Sequence, residues 1–271
     1  MLKTIIPTSL ILKKHIECFY FYSGESSSKL RYLAFPHYNT GLSFFKGAFI
    51  QRQKYQVEIV ESTNSRVSIE ILGKYTCPVL VDYTGQLQEI AIIFKPLGIS
   101  RFFRENYQTI ASDFSQELKS STWSSFGDNI FSEDLDISKL ETFLISQYVD
   151  TDELSKLDMS LNLVNNPTKE TAISEIALKL GYNTKTFQRH FNKHMGCSPI
   201  EYRRICRFRN SIDAKLGEKE IKTLTEITYE SGYFDQSYFI KEFKKLTHHN
   251  PKEFFKVANT IDGEYIIWEI L

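Results

Sequence analysis

The chain has 271 residues, of which 42% are hydrophobic and 24% charged. These values are typical of a globular protein, exclude wholesale disorder and collagen-like fibres, and at this length favour two domains. Lys and Arg (33) balance Asp and Glu (33), but residues 156–256 contain 18 basic and 12 acidic side chains. A local basic excess of this kind can mark a nucleic-acid-binding domain.

The termini and cysteines bear on where the protein acts. Residues 1–14 have no small-residue cleavage site and precede strand-like sequence, and no apolar run reaches the roughly 18 residues of a membrane helix. The four cysteines form no C-x-x-C pair. We therefore expect a cytoplasmic protein with reduced thiols and no membrane contact.

The first hundred residues have the pattern of strands. Val67, Ile69 and Ile71 alternate with polar residues, as in a half-buried strand. Seven short strands in eighty residues predict a small barrel or sandwich. The predicted strands are Ile16–Tyr22, Leu30–Phe35, Gly41–Gln51, Tyr55–Glu61, Val67–Leu72, Val79–Tyr83 and Glu89–Phe94.

After Gly98 the pattern becomes helical. The stretch 112–136 is polar and reads as irregular. A helical stripe follows, whose burial against a second copy or against the barrel is left open by the sequence: Ile137, Leu140, Leu144 and Tyr148. The predicted divisions are a β-rich domain (1–105), a helical and linker segment (106–153), an all-α domain (154–258) and a tail (259–271).

The all-α domain contains an internal repeat. Ile173–Arg204 and Leu224–Lys256 align when one extra residue is allowed after a shared Gly-Tyr. Gly181 and Gly232 end the first helix of each copy, where a left-handed residue is needed. A short helix, a glycine turn and a second helix constitute a helix-turn-helix unit.

The second helix of each copy has a polar outer face. Arg can bond both acceptors of guanine, Gln and Asn can bond adenine, and an apolar side chain suits the thymine methyl group. For one lone helix a solvated face is the simpler interpretation, but two copies favour DNA reading. The predicted base-contacting residues are Lys185, Gln188, Arg189 and Asn192 in the first copy and Gln236, Ser237, Ile240 and Lys241 in the second.

A predicted helix, Pro199–Leu216, lies between the copies. Its 18 residues span about 27 Å, close to the ~34 Å between successive major grooves on one face of DNA. We expect this connecting helix, called the rod below, to hold the second helices of the two copies, the two readers, one helical turn of DNA apart. The residues predicted to contact phosphates are Arg203, Arg204, Arg207 and, on the second reader, Lys244, with Arg209 as a further arginine of the rod.

These residues resemble the AraC/XylS family of bacterial transcription regulators, whose DNA-binding domain has two such units joined by a long helix. The resemblance covers about 155–256, and its most specific part is Gly232–Phe239 with Phe243-Lys-Lys245. One departure is His248-His249-Asn250, where family members usually have Gly; Asn tolerates the left-handed conformation.

The resemblance implies a DNA-binding transcription regulator, with activation the commoner role, and RNA polymerase as a partner. It also implies that the front half is a cupin-like sensor and dimerisation barrel, giving a homodimer. Sixteen aromatic residues between Phe19 and Phe103 could line a pocket for a small apolar effector or simply fill a core. In the second case the front half binds no small molecule and only mediates protein–protein contacts.

Other functional classes are disfavoured. A metal-dependent cupin enzyme needs several His ligands, and the front half has only His15 and His37. A DNA-repair methyltransferase needs an activated cysteine, for which Cys77 is a faint candidate. We therefore expect no catalytic residues, metal or cofactor. A module that has lost DNA binding stays open and would show no salt-sensitive binding to duplex.

Overall fold

The computed structural model describes residues 2–64, 66–131, 136–216, 222–257, 259–261 and 266–270. The protein is α+β, with a sheet-rich N-terminal part and a helical C-terminal part. Among the described residues, no helix is both long and apolar enough to cross a membrane.

Six of the seven predicted strands are present, with changes at their ends. The predicted strand Gly41–Gln51 is wrong, because Gly47 adopts φ +67° and turns the chain there. Its two halves join different sheets. The strands are β1 Leu2–Ile5, β2 Ile16–Ser23, β3 Lys29–Ala34, β4 Thr40–Lys46, β5 Ala48–Gln53, β6 Gln56–Glu61, β7 Ser68–Leu72, β8 Val79–Thr84, β9 Gln88–Phe94, β10 Ser115–Glu117, β11 Asn259–Ile261 and β12 Ile266–Ile270.

These strands form two six-stranded sheets. The first has the order β1-β2-β9-β4-β7-β10 and the second the order β11-β12-β3-β8-β6-β5. Neighbouring strands are antiparallel except β6 and β8. No pairing between the described strands closes the sheets into one ring, so the predicted barrel is not confirmed and the domain is a pair of sheets.

The residues predicted as a C-terminal tail extend the N-terminal sheet. Strand β12 pairs with β3 in antiparallel register, with Trp268 opposite Ala34 and Ile270 opposite Tyr32. Strand β11 pairs with β12 on its other side. The chain thus returns to its first domain after the helical one.

Eleven helices are described. They are α1 Leu10–His15, α2 Tyr107–Ile110, α3 Ser121–Ile130, α4 Ile137–Gln147, α5 Asp152–Val164, α6 Ile173–Lys179, α7 Thr184–Met195, α8 Pro199–Leu216, α9 Leu224–Glu230, α10 Gln236–Thr247 and α11 Pro251–Val257. The region 112–136, expected to be irregular, contains both β10 and α3, and its residues 132–135 lie outside the described ones.

Helices α3 and α4 cover the first sheet. Trp123 of α3 stacks on Phe103 with ring centroids 4.5 Å apart. Leu140 and Leu144 of α4 are fully buried in the same core, and Ile137 and Tyr148 pack against it. The helical stripe is therefore buried within the chain, so of the two alternatives that the sequence left open, the contact with the sheet domain is the one present.

Candidate nucleic-acid interface and internal cavity

Both predicted helix-turn-helix units are present. The first is α6 followed by α7, and the second is α9 followed by α10. Gly181 (φ +75°) and Gly232 (φ +79°) make the same left-handed turn in the two units, as predicted. Ile176 and Ile227 occupy equivalent buried positions in their cores.

The two reading helices, α7 and α10, begin and end in the same way. The side chain of Asn183 accepts a hydrogen bond from the Thr186 amide in the first, and that of Asp235 accepts one from the Tyr238 amide in the second. Gly196 ends α7 at φ +66°, and His248 ends α10 at φ +63°. The turn thus survives the missing glycine, but His248, rather than the expected Asn250, adopts the left-handed conformation.

The outer face of α7 agrees with its predicted residues. Lys185 and Arg189 are exposed, while Gln188 and Asn192 are half-buried beside them. The Asn192 Oδ1 atom is buried and accepts no hydrogen bond among the described residues. Phe187, Phe191 and Met195 occupy the opposite, fully buried face.

The outer face of α10 contains only some of its predicted residues at its centre. Gln236, Ser237 and Lys241 are exposed, as is Lys244. Ile240 is half-buried and packs against the core of its unit, because it lies about 100° around the helix from buried Phe239. Ile240 therefore borders the outer face and is not at its centre.

Three exposed residues of the second unit were not predicted as DNA contacts. Tyr238 and Lys245 are exposed on α10, and Phe234, with 77% of its surface exposed, precedes the cap residue Asp235. Phe234 is the extra residue in the second copy of the repeat. An insertion just before a reading helix was the sequence signal that could have identified it.

Two predicted phosphate contacts on α8 have internal partners instead. Arg203 is buried and donates hydrogen bonds to the backbone carbonyls of Val164 and Thr171. Arg203 and Arg207 both pair with Glu170, at 3.0 and 2.8 Å. These arginines anchor the segment that enters the first unit, and their predicted phosphate contacts stay predictions.

The other two arginines of the rod join α8 to other parts of the chain. Arg204 Nε donates to Glu242 Oε2 at 2.6 Å, which ties the rod to α10. Arg209 is buried and donates to the carbonyls of Phe35 and Pro36 at 2.7 Å, which ties it to the sheet domain. Arg209 is buried, whereas Arg204 is half-buried and its predicted phosphate contact stays a prediction.

One carboxylate of helix α5 contacts three side chains of α7. Glu153 of α5 lies 2.9 Å from both Lys193 Nζ and His190 Nδ1 and 2.6 Å from His194 Nε2. Partial burial alone would raise the pKa of Glu153, but its contacts with these three groups lower that pKa to about 2.

The sheet domain contacts the end of α7. Ser100 Oγ donates to the carbonyl of His194, and a Cβ at Gly196 would lie 2.9 Å from the Tyr107 ring. Nearby, half-buried Lys74 donates to three successive carbonyls, those of His37, Tyr38 and Asn39. Burial lowers the pKa of Lys74 to about 8.

An internal cavity lies between the two sheets. Its volume is about 120 Å³. Apolar and aromatic side chains form most of its wall, including Phe45, Ile50, Ile59 and Val81. Arg209 of the helical domain also lines it, so the cavity reaches the contact between the two domains.

The cavity wall contains two buried carboxylates with different partners. Glu70 pairs with Arg52 and accepts a hydrogen bond from Ser115. Glu89 accepts hydrogen bonds of 2.7 Å from Tyr20 and from Tyr83, and forms no ion pair within the described residues. Burial raises the pKa of Glu89 against these hydrogen bonds.

Family models match both parts of the chain. A helix-turn-helix domain model, of the AraC type, matches residues 169–256. A model described as a domain of unknown function, DUF6597, matches residues 4–114. The comparison with curated proteins finds no match.

Several solved structures are similar. ToxT from Vibrio cholerae is 16% identical, with 88% of this chain and 97% of ToxT covered and a TM-score of 0.46. The C-terminal domain of AraT, a response regulator from Geobacillus stearothermophilus, is 16% identical over 42% and 95%, with a TM-score of 0.36. A probable AraC family transcriptional regulator from Rhodopseudomonas palustris is 13% identical over 39% and 96%, with a TM-score of 0.33.

Proposed function

The chain belongs to the AraC/XylS family of DNA-binding, non-enzymatic transcription regulators, and on that premise we propose that it binds a specific site on double-stranded DNA through α7 and α10. The observation that carries this proposal is the equivalence of the two units. Their glycine turns correspond, both reading helices begin at a side-chain cap and end in a left-handed residue, and each presents cations on its outer face.

We propose different roles in DNA binding for the two reading helices. Arg189 and Gln188 on α7 supply bidentate contacts for base edges. Asn192 supplies only its amide donor, because its Oδ1 atom is buried. On α10, Lys241 and Lys244 supply mainly charge, and Gln236 and Ser237 supply short-range hydrogen bonds. We therefore assign most base discrimination to α7 and propose phosphate contacts for Lys244 and Lys245.

Selection of bound duplexes from a random library, using the full chain, tests the proposal. We expect one preferred site and a protected region covering two successive major grooves on one face of the duplex. A protected region of a single groove would assign one unit a purely structural role. Failure to select any sequence, with no salt-sensitive binding to duplex, would indicate a module that has lost DNA binding.

We further propose that the sheet domain is the sensor and that the cavity is its effector site. Its apolar wall, its few buried polar groups and the presence of Arg209 at its edge support a ligand-responsive role. The alternative, a sheet domain that binds no small molecule and only mediates protein–protein contacts, is favoured if no ligand changes the melting temperature of the full chain.

Activation, contact with RNA polymerase, a cytoplasmic location and a homodimer complete the proposal. A transcription assay on the selected site, with and without the protein, tests the first two. Light scattering at tens of micromolar tests the last. Because Leu140 and Leu144 are buried within the chain, a dimer needs other residues. The exposed apolar side chains of the described part of this domain are candidates: Ile6, Leu10, Ile11, Phe49, Tyr55, Ile145 and Val149.

A further inference from the structure

At one end of the cavity, the buried carboxyl group of Glu89 has no counter-ion among the residues that the structure describes. The side chain of Glu89 is 2% exposed, and its two oxygens accept hydrogen bonds from the hydroxyl groups of Tyr20 and Tyr83. These neutral donors orient the carboxylate without neutralising it. Glu70, which lines the same cavity, differs because Arg52 already compensates its charge.

Aromatic rings surround this carboxylate. Tyr83 lies 5.1 Å from Tyr22 and 6.2 Å from Tyr32 between ring centroids, and Phe45 lies 6.3 Å from Tyr83. Aromatic faces attract cations through their quadrupole, and more strongly where water is excluded. A carboxylate among tyrosine and phenylalanine rings is therefore a setting that favours an organic cation.

The two ends of the cavity differ chemically. Glu89 and Ile93 both line it from β9, four residues apart, which corresponds to about 13 Å of strand. The far end, beside Arg209, is a poor anion site because that guanidinium already donates to the carbonyls of Phe35 and Pro36. The wall between the ends is mostly apolar, with Ser43 and the ion-paired Glu70 among its polar groups.

We propose that this cavity binds a small aromatic or aliphatic primary amine, with the ammonium group at Glu89 and the hydrocarbon part along the apolar wall. The inference rests on the proposed effector role of the cavity and specifies the ligand class. The ammonium group supplies the missing counter-charge of Glu89, and the rings of Tyr32, Tyr83 and Phe45 replace part of its hydration.

Matched probes with one hydrocarbon skeleton test the ligand class on the full chain. Phenethylamine, 2-phenylethanol and phenylacetate, with hexylamine, hexanol and hexanoate, are titrated by calorimetry and by thermal melts. We expect the amines to bind at least tenfold more tightly than the matching carboxylates, with the alcohols between. Preference for the carboxylates, or no binding of either amine at millimolar concentration, overturns the proposal.

A variant then locates the ammonium group. Glu89→Gln keeps the shape of the side chain and is expected to weaken amine binding at least tenfold while leaving alcohol binding within about twofold. The control is Glu58→Gln, because Glu58 alternates with cavity-lining Val57 and Ile59 on β6 and so faces away from the cavity. Equal loss in both variants, or none in Glu89→Gln, contradicts the assignment.

DNA binding is measured separately on the selected site. Amine binding without DNA binding would retain this inference and overturn the proposed regulator. DNA binding without amine binding would do the reverse. If Glu89→Gln does not fold, the comparison of amines with carboxylates on the unaltered chain still decides the ligand class.

Discussion

Gly196 and His248 occupy equivalent positions at the ends of the reading helices, yet only one of them is glycine. His248 adopts a left-handed conformation, which costs a residue with a Cβ atom roughly 1–2 kcal/mol. His248→Gly should therefore stabilise the protein, by about 0.5–1 kcal/mol once the larger entropy of an unfolded glycine is deducted. Urea unfolding measures the change.

The matched variant is Gly196→Ala, for which we expect the opposite sign. The added Cβ would meet the Tyr107 ring at 2.9 Å in addition to the strain at φ +66°. We expect a loss of about 1–3 kcal/mol. An unchanged or lower stability of His248→Gly, with Gly196→Ala as expected, would show that His248 forms stabilising contacts that outweigh its strain.

Arg189 and Arg207 separate DNA reading from structural support. Arg189 is exposed on α7, so Arg189→Ala should cost about 1–3 kcal/mol of binding at the preferred site and relax the preference at one base pair. Arg207 pairs with Glu170 and lies over the Tyr233 ring at 6.0 Å. Arg207→Ala should therefore lower stability, with binding affected only through folding.

Melting curves and binding titrations on both variants check this pair. A wild-type melting temperature for Arg207→Ala, together with a lower salt dependence of binding, would return Arg207 to the phosphate-contacting role. Loss of stability in Arg189→Ala would mean that its side chain supports α7.

The spacing of residues predicted the exposed cations of the reading helices but not the partners of the rod arginines. Lys185 and Arg189 follow from helical periodicity, which depends only on nearby residues. The partners of Arg204 and Arg209, Glu242 and Phe35, are remote in sequence. A single sequence contains no signal for such distant pairs, so four arginines on one helix read as a DNA surface.

Helix α7 is held by a carboxylate on α5, that of Glu153. The folded-state pKa of Glu153, about 2, is below the ordinary value near 4.5. Its stabilising contribution is therefore complete above that ordinary value and is lost as the pH falls toward 2. Glu153→Gln should cost about 1–2 kcal/mol at pH 7, and the difference from wild type should shrink below about pH 4.5.

Urea unfolding of both proteins between pH 2.5 and pH 7 measures this difference. The control is Glu175→Gln, because Glu175 is fully exposed and pairs with Lys179 within its own helix. A difference between wild type and Glu153→Gln that is constant across this range would contradict the pairing of Glu153 with α7.

The sequence predicted whether a segment is a strand or a helix better than it predicted which other segments pack against it. The alternation of Val67, Ile69 and Ile71 identified β7, and the stripe containing Leu140 and Leu144 identified α4. Which surface covers the stripe depends on the path of the whole chain. The break at Gly47 was missed because the apolar run continues through it on both sides.

At the scale of the whole molecule, the two domains share side chains. Phe35 of the sheet domain packs in the same core as Phe208 and Phe254 of the helical domain, and Arg209 donates to its carbonyl. Arg209→Ala leaves two buried carbonyl groups without these donors. We expect a loss of about 2–4 kcal/mol, felt by both domains in one transition.

Scanning calorimetry and circular dichroism check this expectation. Arg189→Ala serves as the control, because its side chain is exposed and forms no contact between the domains. Stability of Arg209→Ala within about 0.5 kcal/mol of wild type would mean that water replaces the guanidinium at both carbonyls.

The pairing of β12 with β3 has a consequence for the order in which the protein matures on the ribosome. Strand β3 is synthesised early, but one of its two neighbours emerges only after the entire helical domain has been translated. Until then one edge of β3 presents unpaired backbone groups, which can pair with other chains. Nascent chains that stall before residue 266 should therefore aggregate more readily than completed ones.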